Sequence, residues 1–216
     1  MKKTHQNAEY YGNVRSEIIP LLPKYSPRAL EVGCGTGATL LFIKEQGYAG
    51  WVGGIDLYAD DKNTAEKSLD YFRLGSIEQN LFDIPEASID LLLCLDVLEH
   101  LVNPWQALAR LSTLLKPGGV LVTSIPNIRH FKALVPLLFR GEWNYSNDGL
   151  LDRTHLRFFT KSSAVELVQQ AGFTIDTTLY TGLAAGSRAS LINKLTLNIF
   201  RQFFQFQYLI KAYKTA

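Results

Sequence analysis

The chain has 216 residues, 47% of them hydrophobic and 19% charged, with a formal charge of +2 at pH 7. That length suits one domain with a sizeable core, and so weak a positive charge excludes a general nucleic-acid binder. Cys34 and Cys94 are the only cysteines, too few for a zinc cluster, and their apolar or glycine-rich surroundings read as those of buried thiols in a reducing compartment. The first residues, Met1-Lys-Lys-Thr-His-Gln-Asn, lack the apolar core of a signal peptide, and no uncharged apolar run reaches membrane-spanning length. The expected location is the cytoplasm, and residues 1–216 are read as a single domain.

Strand-like apolar runs alternate with helix-like segments, the pattern of a parallel α/β sheet. A first strand is expected over 29–33, a helix over 37–46, and a second strand over 51–57 that ends at acidic Asp56. A helix over 63–69 and a short strand over 71–77 follow. The segment 89–95, Ile-Asp-Leu-Leu-Leu-Cys-Leu, is the most apolar and belongs in the sheet centre. An amphipathic helix over 104–115 is stopped by Lys116-Pro-Gly-Gly119, and a strand over 120–125 ends at Pro126. Residues 126–160 carry aromatics, arginines and Asn147-Asp148-Gly149 without a clear period, and read as an irregular insertion that covers the acceptor. A helix over 162–171 is closed by Gly172, and 173–180 alternates as a strand. The segment 184–203 reads as helical, packed on the sheet or lying on a membrane surface. A last strand is expected over 204–212.

Glu31-Val-Gly-Cys-Gly-Thr-Gly37 stands at the first strand-to-helix junction. Its glycines let the backbone turn tightly and approach a ligand closely. The spacing is G-x-G-x-G rather than the G-x-G-x-x-G of a pyrophosphate loop. Glu31 would repel a pyrophosphate but suits a ligand that carries an ammonium group. Asp56, 19 residues after Gly37, is placed to accept hydrogen bonds from two ribose hydroxyls.

These features, with Leu95-Asp-Val-Leu-Glu-His-Leu101 and Leu115-Lys-Pro-Gly-Gly-Val-Leu121, resemble the class I S-adenosylmethionine-dependent methyltransferases across nearly the whole chain. The resemblance implies a doubly wound, Rossmann-like, seven-stranded mixed sheet whose last strand is antiparallel, with a small cap insertion. It implies S-adenosylmethionine as cofactor and S-adenosylhomocysteine as product. Gly33, Cys34, Gly35 and Gly37 would lie under the methionine and ribose, with Glu31 facing the methionine end. Asp56 would hold the ribose and Leu57 the adenine face. Ser76 stands where such enzymes often carry Asp, so its hydroxyl or the Ile77 backbone would meet the adenine amine. Leu95 and Asp96 would sit near the transferred methyl. Tyr11 would belong to an N-terminal lid, and Arg15 would meet the cofactor carboxylate.

A second, narrower resemblance joins Leu151-Asp-Arg-Thr-His-Leu-Arg-Phe-Phe-Thr160 and Gly141-Glu-Trp-Asn-Tyr145 to methyltransferases of bacterial surface-polysaccharide and sugar pathways. An alcohol acceptor benefits from a base, and imidazole titrates near working pH. His155 is the candidate base, oriented by Asp152, or else both residues pin the insertion. His130 and His5 are weaker candidates. Arg153 and Arg157 suit an anionic acceptor, or pair with Asp148 or Asp152. Trp143 and Tyr145, with Phe131 and Phe158, form a sugar-stacking wall or the small core of the cap. Glu99-His100 is read as structural and no metal is expected, because neighbours on a helix diverge by about 100°. The acceptor is then a glycan or other small molecule. The rivals are a phenol or quinol O-methyltransferase, a non-catalytic cofactor-binding protein on the same fold, and a nicotinamide dehydrogenase.

Overall fold

The computed structural model describes residues 13–58, 64–79, 83–182, 193 and 200–215. A 3-10 turn at Ser16–Leu21 leads into β1 (Ser26–Val32), α1 (Ala38–Glu45), β2 (Ala49–Asp56), α2 (Thr64–Ser68) and β3 (Tyr71–Leu74). Then come β4 (Ile89–Leu95), α3 (Pro104–Leu114) and β5 (Leu115–Pro126). The chain continues through α4 (Phe131–Arg140), α5 (Lys161–Gln170), β6 (Phe173–Tyr180), α6 (Arg201–Phe204) and β7 (Gln207–Lys214).

The strands form one seven-stranded sheet in the order β3-β2-β1-β4-β5-β7-β6. The first five pair in parallel, and β7 runs antiparallel to both β5 and β6. This is the mixed, Rossmann-like sheet expected of the sequence. The continuous apolar run of β4 follows from burial on both faces. Leu92 and Cys94 pack into one core with Leu30, Val32 and Leu121, while Leu91, Leu93 and Leu95 pack into the other with Ala29, Val52 and Val122. Strand order changes direction between β1 and β4, which opens a crevice at their C-terminal ends where ligands of such sheets bind.

Three expectations need correction. Residues 126–160 are not irregular throughout, because they contain the ten-residue helix α4. His130 Nδ1 accepts from the Lys132 amide at its start, and Gly141 closes it at φ 67°. Only Ala133 of α4 is buried, so its apolar residues trace no core-facing stripe. Strand β5 begins at Leu115 rather than 120, because Leu115 pairs with Ile89 ahead of an irregularity that absorbs the Pro-Gly-Gly segment. The final strand is shifted towards 207–214, and 201–204 form a helical turn instead. Of the segment 184–203, residues 184–192 and 194–199 lie outside the described residues.

Candidate functional site

The cofactor half is built where β1 ends. Gly33, Gly35 and Gly37 all adopt positive φ, at 73°, 55° and 79°. A Cβ on Gly33 would come within 2.6 Å of Val97 Cγ2, so a side chain there would be strained and crowded. The loop is tied to β2 by the Gly33 and Cys34 amides, which both donate to the Ile55 carbonyl. Asp56 closes the same loop: its Oδ2 accepts from the Gly35 amide at 2.7 Å and its Oδ1 from the Tyr58 amide at 2.9 Å. Each carboxylate oxygen retains a further lone pair for a ligand hydroxyl.

Glu31 is 3% exposed, and its Oε2 has no hydrogen-bond partner among the described residues. Burial pushes its pKa up to about 8; the Arg15 guanidinium opposes the shift and Asp56 adds to it. A buried carboxyl with an unsatisfied oxygen beside a glycine cradle fits a donor that brings an ammonium group and a ribose. Of the residues expected to meet the adenine, Leu57 is exposed and Ile77 buried, while Ser76 Oγ accepts from the Glu78 amide. Cys34 is buried in the loop. Tyr11 lies outside the described residues.

Leu95 ends β4 beside this loop, and Asp96 follows it. Asp96 holds φ 55°, a left-handed conformation that costs a non-glycine residue energy and recurs at functional sites. Its Oδ1 accepts from Ser124 Oγ and Gln207 Nε2, each at 2.7 Å, and its Oδ2 takes Arg15 Nη1 at 2.7 Å. Arg15 also binds Glu17 at 2.5 Å. Arg15, which the resemblance places near the cofactor carboxylate, thus also engages two carboxylates of the chain. Ser124 and Gln207 escaped the sequence reading because neither carries a motif.

The insertion docks on the turn after β4. The Glu99 carbonyl accepts from the amides of Leu156 and Arg157 at 2.8 and 3.0 Å, and the Ile128 amide donates to the Phe159 carbonyl at 3.0 Å. Arg157 Nη2 donates to the Val102 carbonyl at 2.5 Å. Neither Arg153 nor Arg157 forms a salt bridge to Asp148 or Asp152 among the described residues.

His155 is buried, and its Nδ1 faces the Leu150 carbonyl at 3.1 Å. A carbonyl only accepts, so Nδ1 carries a proton, and in the neutral ring the lone pair is then on Nε2. Asp152 does not orient this ring. Its Oδ1 accepts instead from the Thr154 amide at 2.7 Å and from Thr154 Oγ1 at 2.6 Å. Thr154 Oγ1, having spent its proton there, accepts from His100 Nδ1 at 3.0 Å, and the Thr154 carbonyl lies 3.2 Å from the same nitrogen. Asp152 thus fixes His100 through Thr154, and it misses His155 because the short turn between them carries its carboxylate back onto Thr154.

The two imidazoles meet edge to face with centroids 4.7 Å apart. Glu99 lies beside them, 1% exposed, and burial drives its pKa well above the carboxylate range, with Asp96 adding to the shift. Burial and the neighbouring His155 lower that of His100. On the open side, Trp143, Asn144, Tyr145, Arg153, His155 and Leu156 line a cleft of about 510 Å³. The structure so gathers four residues singled out in the sequence, and Trp143 packs edge-on against Phe158 at 5.1 Å. Arg157 lies outside that lining.

A doubly wound sheet with a G-x-G-x-G loop, a strand-end carboxylate and a buried acid beside them defines a nucleoside-type cofactor enzyme. The methyltransferase domain family matches residues 4–178, and the chain belongs to it. Its cofactor is S-adenosylmethionine. A "Probable S-adenosylmethionine-dependent methyltransferase" of Mycolicibacterium smegmatis is 30% identical over 159 residues, 73% of this chain and 56% of that protein. The chain therefore spans little more than half of that relative. A "Ubiquinone biosynthesis O-methyltransferase" of Azoarcus sp. is 30% identical over 164 residues, 68% of this chain and 67% of the relative. Among solved structures, a SAM-dependent methyltransferase from Archaeoglobus fulgidus superposes with TM-score 0.67 at 20% identity, covering 92% and 90% of the two chains. That likeness concerns the fold. Among the described residues no helix is long and apolar enough to cross a membrane.

Proposed function

We propose that the protein O-methylates a sugar or glycan precursor held in the cleft that the insertion lines. The observation that carries this reading is the cleft itself: Trp143 and Tyr145 as aromatic walls, Arg153 and Asn144 as polar contacts, and His155 at its edge. Sugars present alternating apolar faces and hydroxyls, and such a lining matches both. Arg153 adds a guanidinium suited to a phosphate-bearing precursor.

S-adenosylmethionine supplies a methyl on a positively charged sulfur. The chain's own work is alignment and proton handling. Glu31 and the glycine loop seat the donor's methionine end, and Asp56 its ribose. Asp96, held by Arg15, Ser124 and Gln207, sits near the transferred methyl. The acceptor hydroxyl meets the cluster of His155, His100 and Glu99, where its proton is lost. Replacing His155 by Ala is expected to lower turnover about 10²-fold or more while the cofactor Kd changes less than about threefold. Labelled-methyl transfer onto a panel of nucleotide sugars and polysaccharide intermediates, alongside calorimetry, checks both. Unchanged turnover would remove His155 from the proton path, and silence of the whole panel would overturn the glycan assignment.

A second reading, transfer to a phenol or quinol hydroxyl, is supported by the name of the Azoarcus relative. It is also supported by α4, which presents Val135, Leu138 and Phe139 to solvent just ahead of the cleft residue Trp143. Contact of 184–203 with a membrane surface, the alternative to packing on the sheet, would suit such an acceptor, and most of that segment lies outside the described residues. Activity on a quinol and none on the sugar panel would select this second acceptor.

A further inference from the structure

We propose that Glu99, His100 and His155 bind a divalent cation of the zinc class, placed to hold the acceptor's hydroxyl oxygen during methyl transfer. The inference rests on the proposed O-methylation, but only for what the ion does; its binding stands on the geometry alone. One candidate ligand atom from each residue lies within 4.8 Å of the others. Ligands at about 2.1 Å from one ion in a tetrahedral arrangement sit about 3.4 Å apart, so side-chain rotations of the order of an ångström would complete the site. The sequence argument against a metal held that neighbouring side chains diverge. Here Leu98–His100 is a single 3-10 turn, and the partner that gathers its side chains, His155, comes from the insertion.

Two independent features point to a ligand. Glu99 is 1% exposed, and neither of its carboxylate oxygens has a hydrogen-bond partner among the described residues. Buried carboxylates are paired, protonated or bound to a metal; this one forms no salt bridge among the described residues, and the Arg15 guanidinium acts on it from farther off. Both imidazoles, in turn, are already oriented as ligands. Each has its Nδ1 turned to a carbonyl, Leu150 for His155 and Thr154 for His100, with Asp152 behind Thr154. Metal-bound histidines hold their other nitrogen in this way, and the arrangement leaves Nε2 as the donor atom.

Two imidazoles and one carboxylate favour zinc-type ions over magnesium, which prefers oxygen ligands. Three protein ligands leave a position open. Because His155 belongs to both the cluster and the cleft wall, that position faces the acceptor. The hydroxyl proton would then leave to water as the oxygen becomes a ligand. The oxygen–methyl bond would form as the methyl–sulfur bond breaks, its electron pair staying on the neutral thioether. On this account His155 is a ligand rather than the base.

The test uses the tag-free full chain, stripped by chelator, loaded separately with zinc chloride, cobalt chloride or magnesium chloride, and passed through a desalting column. About one zinc per chain is expected, with visible absorption bands in the cobalt form. Glu99→Gln and His155→Ala should each retain less than about a tenth as much zinc. Circular dichroism and S-adenosylmethionine affinity should match the parent protein and so show that the variants fold. Absence of retained zinc and of cobalt bands in the parent protein would overturn the proposal whatever the variants do. So would magnesium retained in place of zinc, or full retention by folded variants. A chain that binds zinc yet methylates neither sugars nor phenols would overturn the acceptor assignment and leave the metal site standing.

Discussion

Glu31 carries a charge conflict that can be measured. In the folded chain its carboxyl holds a proton up to about pH 8, against an ordinary value of 4.5. The folded state therefore binds more protons than the unfolded state between those values. Its stability contribution is complete below about 4.5 and is lost as the pH rises towards 8. Glu31→Gln keeps the shape and removes the titration. Urea unfolding of the cofactor-free protein at pH 5 and pH 8 should show a larger fall for the parent than for Glu31→Gln, by at most about 1.4 kcal/mol per pH unit. Equal falls would show that Glu31 is ionised in the fold.

At the scale of elements, the decisive one is the insertion and its seat on the turn after β4. Arg157 spends its guanidinium on the Val102 carbonyl, so Arg157→Ala should loosen the insertion without touching the glycine loop. An acceptor KM raised about tenfold with an unchanged cofactor Kd is expected, corresponding to about 1.4 kcal/mol. Loss of cofactor affinity instead would show that the two halves are coupled. The sequence announced those halves unequally. Strand β4 was readable because its apolar run needs burial on both faces, and the glycine loop because its chemistry is local. Helix α4 was not: Pro136 interrupts the pattern, and Phe131, Val135, Leu138 and Phe139 are exposed, leaving no buried stripe to set a period. The meeting of His100 with His155 was hidden for another reason. It depends on backbone hydrogen bonds from 156–157 to Glu99, and such bonds have no residue signature.

Across the whole molecule, Asn127 joins three parts of the chain. It is fully buried where β5 ends. Its Nδ2 donates to the carbonyls of Gln202 and Gln205, both at 2.7 Å, and its Oδ1 accepts from the Arg129 amide and from the Tyr208 hydroxyl. Asn127→Ala would strand several buried groups at once and should cost about 2–4 kcal/mol in equilibrium unfolding. A loss below about 0.5 kcal/mol would mean that water replaces these bonds. The way the insertion is held has a broader consequence. Glu99 and Val102 grip it through their carbonyls, and at 156 and 157 it answers with two backbone amides and one guanidinium. Peptide groups are the same in every sequence, so the socket is indifferent to most side chains on the plug. Acceptor choice can then drift, residue by residue across the cleft lining, while the cofactor machinery stays as it is.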